Sequence, residues 1–87
     1  MKFVHPKERA VGKLVRLEYQ HGAHYPVFAF ETRGGERVES RARGELPIEE
    51  MLAPARAAAF LRRPLPIGNV WITYRADAPT RFHAVYL

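Results

Sequence analysis

The chain contains no cysteine, one serine (Ser40), one aspartate (Asp77) and one tryptophan (Trp71). Each scarcity removes a class of chemistry. Without cysteine there is no disulfide framework, no thiolate metal site and no cysteine nucleophile, and the redox compartment is left undefined. Ser40 sits among Arg and Glu in a charged arm and Asp77 in a turn, so nothing in the spacing suggests a Ser-His-Asp triad with an oxyanion hole. Glu49 and Glu50 are adjacent on a helix and point in different directions, which suits a helix start better than a carboxylate pair. No glycine-rich phosphate cradle is present, since Gly34-Gly35 reads as a hairpin turn. No apolar run approaches the roughly 20 residues that a membrane helix needs. Residues 1–10 are charged, contain Pro6 and lack the apolar segment of a signal peptide. These absences lead to the expectation of a non-catalytic, cytoplasmic protein with no cofactor and no small-molecule ligand.

What is present is one domain's worth of chain. Its 87 residues, 47% of them hydrophobic, are near the lower end of what buries a core unaided. A domain this small and without covalent staples depends on packing or on self-association. The net charge is +5, from 14 Lys and Arg against 9 Asp and Glu. Arginine dominates the basic set and suits bidentate contacts to phosphate or carboxylate.

Strand signals recur along the chain. Residues 13–20 alternate with Val15, Leu17 and Tyr19, the pattern of a half-buried strand. His21, Gly22, Ala23 and His24 break the run as a hairpin connection. Residues 25–33 form the strongest strand, with Phe28 and Phe30 on one face and Val27 and Ala29 on the other. Two apolar faces imply burial on both sides or a contact with a second molecule on one. Pro26 fits a strand start or an edge. A tight turn at Arg33-Gly34-Gly35-Glu36 leads into a charged arm, residues 36–41, whose one core contact is Val38. Its alternating charges favour cross-strand pairing.

Residues 47–63 change character. Pro47 followed by Glu49 and Glu50 marks a helical first turn. Pro54 then either kinks the helix or opens a new one; an interior proline costs about 3 kcal/mol, which favours the new helix. Arg62 and Arg63 fall in its last turn, and Pro64 and Pro66 end it. Residues 69–75 return to strand, with Val70, Ile72 and Tyr74 opposite Trp71 and Thr73. After a turn at residues 76–79, residues 81–87 form a last strand with Phe82, Ala84 and Tyr86 on one side. The fold class is therefore mainly β (α+β), one domain over residues 1–87. It is a five-stranded curled antiparallel sheet or small open barrel with one helical insert between strands 3 and 4.

The order of these features carries a resemblance. Gly12-Lys13-Leu14, Tyr25-Pro26-Val27 with Phe30, Gly35, then Gly68, Val70-x-Ile72-x-Tyr74 and Pro79 resemble a family of small bacterial β-domains of unknown function, often fused to transmembrane helices. The resemblance spans about residues 12–87 and implies a fold without implying a reaction. No flanking membrane helix is expected from these 87 residues, and the chain differs from the family in carrying Arg75-Ala76 where the family tends to have Asp-Pro, in placing Gly68 one residue closer to its strand, and in a longer insert.

Candidate binding residues follow from the same pass. Apolar surface left over on a small sheet is usually an interface. Tyr25, Val27, Phe28, Phe30 and Trp71 are the expected contacts of a protein-binding module or a homo-oligomer. The alternative is a nucleic-acid-binding small barrel, in which Lys2, Lys7, Arg9, Lys13, Arg16, Arg56, Arg62 and Arg63 hold phosphates and Trp71 and Tyr25 stack on bases. Glu31, Glu36 and Glu39 offset the arginines of the hairpin. His21 and His24, with His5 and His83 elsewhere, are weak metal-ligand candidates, more simply read as polar loop residues.

Overall fold

Residues 6–86 are described by the computed structural model. Lys2, His5 and Leu87, with the side chain of Tyr86, lie outside the described residues. The apolar stretches become five strands: β1 (Lys7–Gln20), β2 (Ala23–Glu31), β3 (Arg37–Ser40), β4 (Ile67–Arg75) and β5 (Ala78–Tyr86). They form one antiparallel sheet in the order β3-β2-β1-β4-β5. No ladder joins β3 to β5, so the sheet is curled but not closed into a barrel. Its two ends approach one another, and the Arg43 N–H donates to the Phe82 carbonyl at 2.9 Å.

The central strand is longer than the sequence pattern suggests. β1 starts at Lys7 rather than Lys13. Its first half hides from a periodicity search because the core-facing positions are Glu8, Ala10 and Gly12, while Lys7, Arg9 and Lys13 face solvent. That half pairs with β4, from Lys7 opposite Arg75 to Leu14 opposite Ile67. The second half pairs with β2, from Lys13 opposite Ala29 to Gln20 opposite Ala23.

The expected alternation of Val15, Leu17 and Tyr19 is corrected by a bulge. The ladder to β2 shifts between Leu14 and Arg16, leaving Val15 as the extra residue. Leu14, opposite Phe28, and Leu17, opposite Pro26, therefore both serve the concave face. That face holds the core: Leu14, Phe28, Phe30, Val38, Ala42, Val70, Ile72, Tyr74 and Phe82. Its aromatic centre packs edge to face, with Phe30 5.0 Å and Phe28 6.1 Å from Phe82 between ring centroids.

The hairpins have the turn chemistry their lengths demand. His21 and Gly22 both adopt positive φ, 52° and 76°, as a two-residue loop between right-twisted strands requires. His24 accordingly sits inside β2 opposite Tyr19, not in the turn. Between β2 and β3 the Gly35 N–H donates to the Thr32 carbonyl at 2.9 Å, and Gly35 turns left-handed, φ 86°.

The insert folds as two short helices, α1 (Ile48–Met51) and α2 (Pro54–Leu61), with Pro54 opening the second. Arg62 is the C-cap, so Arg62 and Arg63 lie just past the last turn rather than in it. Helices this short are not stable alone and depend on tertiary contacts. α1 packs against β2 and α2 against α1, while Phe60 and Ile67 pack onto the concave core. Among the described residues, no helix is long and apolar enough to cross a membrane.

Gly12 is where the central strand tolerates no side chain. A Cβ there would stand 2.6 Å from the Ala29 carbonyl oxygen and 3.0 Å from the Phe30 Cβ. Because the nearest atom is backbone, relief requires the ladder to move. Gly12→Ala should destabilise the fold by about 1–3 kcal/mol, the range for overpacking. Chemical denaturation checks this, and an unchanged midpoint would contradict the packing described.

Candidate binding face

The convex side of the sheet is built from the other half of each strand, and its two halves differ. Over β2, charged side chains form a roof. Arg16 on β1 reaches Glu39 on β3 at 2.7 Å, spanning β2 on the side where Arg16 stands opposite Val27. One step along, the Arg41 guanidinium lies 4.3 Å from the centre of the Tyr25 ring and 3.5 Å from Glu18. Long side chains of this kind cover apolar surface with their stems while keeping their charges wet.

This roof corrects part of the expected interface. Val27 and Phe28 are 0% exposed and Phe30 4%. Phe28 and Phe30 belong to the concave core, and Val27 is buried within the chain's own fold. None of the three is available to a partner. Tyr25 is half-buried beneath Arg41, which also takes the ring face it would need for stacking on a base. Of the five expected contacts, Trp71 alone stands open, at 45% exposure.

Over β1, β4 and β5 no ion pair among the described residues forms such a roof. Val11 pairs with Trp71, and Trp71 with Val85, so the three form one row across the sheet. Val11 is 57% and Val85 61% exposed. The next row down is Arg9, Thr73 and His83. Below it, Lys7, Arg43, Thr73, Tyr74, Arg75, Arg81 and His83 line a cleft of about 180 Å³. Val11, Val85, Arg43 and Arg81 were not legible as site residues. The available signal was parity: Val85 falls between Ala84 and Tyr86, out of phase with the inward positions Phe82 and Ala84, at a solvent-facing position where an apolar residue is out of pattern.

The predicted basic residues are divided by the fold. Lys7, Arg9 and Lys13 share the convex face with Trp71, and Arg16 is there too but paired with Glu39. Arg56, Arg62 and Arg63 belong to the helical insert, which packs on the concave side through Phe60. Arg56 and Arg63 border a groove of about 410 Å³ lined by Ile48, Met51, Leu52, Ala59 and Phe60.

The sheet edges also differ. β3 is only four residues long and carries Arg37 and Glu39. The first half of β2 is capped by α1, because the His24 N–H donates to both Glu49 carboxylate oxygens at 3.0 and 3.1 Å. β5 is guarded at its start by Pro79, by an irregularity in its ladder and by the Arg43 bond to Phe82. The Phe82 carbonyl faces away from β4, so by the two-residue period Ala84 also turns its N–H and C=O to the open edge. Val85 adjoins that stretch.

Two polar contacts hold the frame. The buried Tyr74 hydroxyl donates to Glu8 Oε2 at 2.6 Å and accepts from the Arg33 N–H at 2.9 Å. Burial raises its pKa, and the Glu8 carboxylate adds to the rise. His24 Nδ1 lies 3.0 Å from Glu49 Oε2, which occupies one nitrogen of a proposed metal ligand. His21 stays exposed in the turn. Among the described residues, no group of three or more His, Asp or Glu side chains is placed to hold a metal ion. No family model, curated protein or solved structure matches the chain.

The Glu49 carboxyl titrates below the usual carboxylate range, chiefly because the His24 backbone N–H bonds its charged form, with the His24 side chain adding to this. A folded-state pKa below the unfolded one contributes stability that is present above the unfolded value and lost as pH falls through the folded value. The stability gap between the native chain and Glu49→Gln should therefore narrow on acidification; a gap constant with pH would contradict the assignment. Because Trp71 is the only tryptophan, its fluorescence reports the open row directly. Iodide should quench it efficiently in dilute solution, and an indole shielded from iodide would place it elsewhere.

Proposed function

We propose that the protein is a non-catalytic binding module that associates with a second copy of itself through the open half of the convex face. The observation that carries this reading is the exposed row of Val11, Trp71 and Val85, which runs to the β5 edge of the sheet. A second copy adding its own β5 antiparallel about a two-fold axis near Ala84 continues the sheet from one protomer to the next. The same operation sets the two apolar rows side by side and removes Val85 from water. A chain of 87 residues gains from such burial, having little interior of its own. In support of a non-catalytic role, Ser40 lies on β3 and Asp77 in the β4–β5 turn, where Asp77 is bonded to Arg75.

One observation favours a second reading, binding of single-stranded nucleic acid. Trp71 shares its face with Lys7, Arg9 and Lys13, the arrangement of a stacking ring beside phosphate-neutralising charges.

Sedimentation velocity over a wide concentration range tests the first reading. The native chain should shift from monomer towards dimer. Val85→Lys, which places a charge beside the open edge, should remain monomeric. Leu46→Lys, at another exposed apolar position, should associate as the native chain does. A native chain that stays monomeric, or equal effects of the two substitutions, would overturn self-association. For the second reading, anisotropy with labelled oligonucleotides at two salt concentrations should show salt-sensitive binding that Trp71→Ala weakens. Binding that is absent, or present but insensitive to salt, rejects it.

A further inference from the structure

The cleft at the lower end of the convex face collects an unusual density of positive charge. Lys7 comes from the start of β1, Arg75 from the end of β4, Arg81 and His83 from β5, and Arg43 from the segment that crosses the β5 edge. Thr73 and Tyr74 complete its lining. Of these cations, Arg75 is matched internally: its Nε and one terminal nitrogen bond the two Asp77 oxygens at 3.0 and 2.6 Å. Among the described residues, no carboxylate pairs with Lys7, Arg43 or Arg81.

Over β2 two arginines are paired, Arg16 with Glu39 and Arg41 with Glu18. What sets the cleft apart is that several cations border one concave space. Lys7, Arg43, Arg81 and His83 border about 180 Å³, and like charges gathered around one cleft repel one another, a repulsion that a bound anion relieves. The backbone itself brings Arg43 there, since its N–H is tied to the Phe82 carbonyl at 2.9 Å. Two guanidinium groups approaching from different elements, with an ammonium from a third, suit a compact oxyanion with several acceptor oxygens. Guanidinium forks match such groups in geometry as well as charge.

We propose that the cleft bordered by Lys7, Arg43, Arg81 and His83 is a binding site for a phosphoryl group. The group is either free phosphate or a phosphate of a nucleic-acid strand. The site stands apart from the proposed self-association, which uses the row of Val11, Trp71 and Val85. The Thr73 row lies two residues along β4 from Trp71, about 7 Å at the rise of a strand. A strand of nucleic acid held at the cleft would thus bring a base to the indole.

The test is an amide NMR titration of the full chain with inorganic phosphate, compared with sodium chloride at matched ionic strength. Saturable shifts at Lys7, Arg43, Thr73, Arg81 and His83 are expected, falling at least tenfold in affinity in an Arg43→Ala, Arg81→Ala double variant. Arg62→Ala, on the helical insert, should leave them unchanged. The double variant should also be no less stable than the native chain without phosphate, since it loses repulsion and no ion pair; this separates a binding role from a structural one. Shifts that chloride reproduces, or that survive in the double variant, overturn the proposal. A second titration uses a short single-stranded oligonucleotide. Binding at least tenfold tighter than phosphate, and lost in the double variant, identifies a nucleic-acid phosphate as the ligand. Phosphate binding without oligonucleotide binding identifies free phosphate. Oligonucleotide binding that persists in the double variant places the anion site elsewhere and overturns the assignment.

Discussion

The fold depends on the double pairing of β1. It is the only strand that joins the two halves of the sheet, with β4 on its first half and β2 on its second. At the changeover the strand carries Gly12, Leu14 and the extra residue Val15. Gly12 lets the ladders close without a side chain between the Ala29 carbonyl and Ile72. Val15 resets the phase so that Leu14 and Leu17 both turn inward. A bulge also sharpens local twist, and the sheet is curled accordingly, bringing β3 and β5 near enough for the Arg43 bond to Phe82. The concave core, the docking of the helical insert and the separation of the two faces all follow from that changeover.

The convex face shows how a small protein handles apolar residues it cannot put inside. β2 is apolar on both sides, and its outer side is closed by guanidinium–carboxylate pairs reaching over it from β1 and β3. Exposed ion pairs are worth little in themselves, typically about 0–1 kcal/mol. Their contribution here is coverage, since their stems exclude water from Val27 and Tyr25. Among the described residues, no ion pair reaches across β1, β4 and β5 in the same way. The contrast between the two halves singles out the row of Val11, Trp71 and Val85 more clearly than exposure alone.

Much of the fold was legible in the sequence. The strong strands, the core parity of β4, the lone core role of Val38 and the fresh helix at Pro54 all follow from period and turn chemistry. The first half of β1 did not, because its inward positions carry a glutamate, an alanine and a glycine that mimic a charged, structureless arm. The bulge at Val15 has no local signature, and it shifted the inward residue from Val15 to Leu14. The binding face was legible only in Trp71. The two-faced strand was correctly seen as buried on both sides or contacting another molecule; choosing between these needed the cross-strand reach of Arg16 and Arg41. The charged cleft depends on Arg43 crossing the β5 edge, a tertiary event with no sequence period.

If the protein self-associates through the end of β5, that edge is open in the single chain and covered in the pair. Hydrogen–deuterium exchange of individual amides at two protein concentrations tests it most directly. The outward-facing amide of Ala84 should exchange quickly in dilute solution and become protected as concentration rises, while the amides of β3 do not change. Protection that is independent of concentration at Ala84, or that rises on β3 instead, would contradict it.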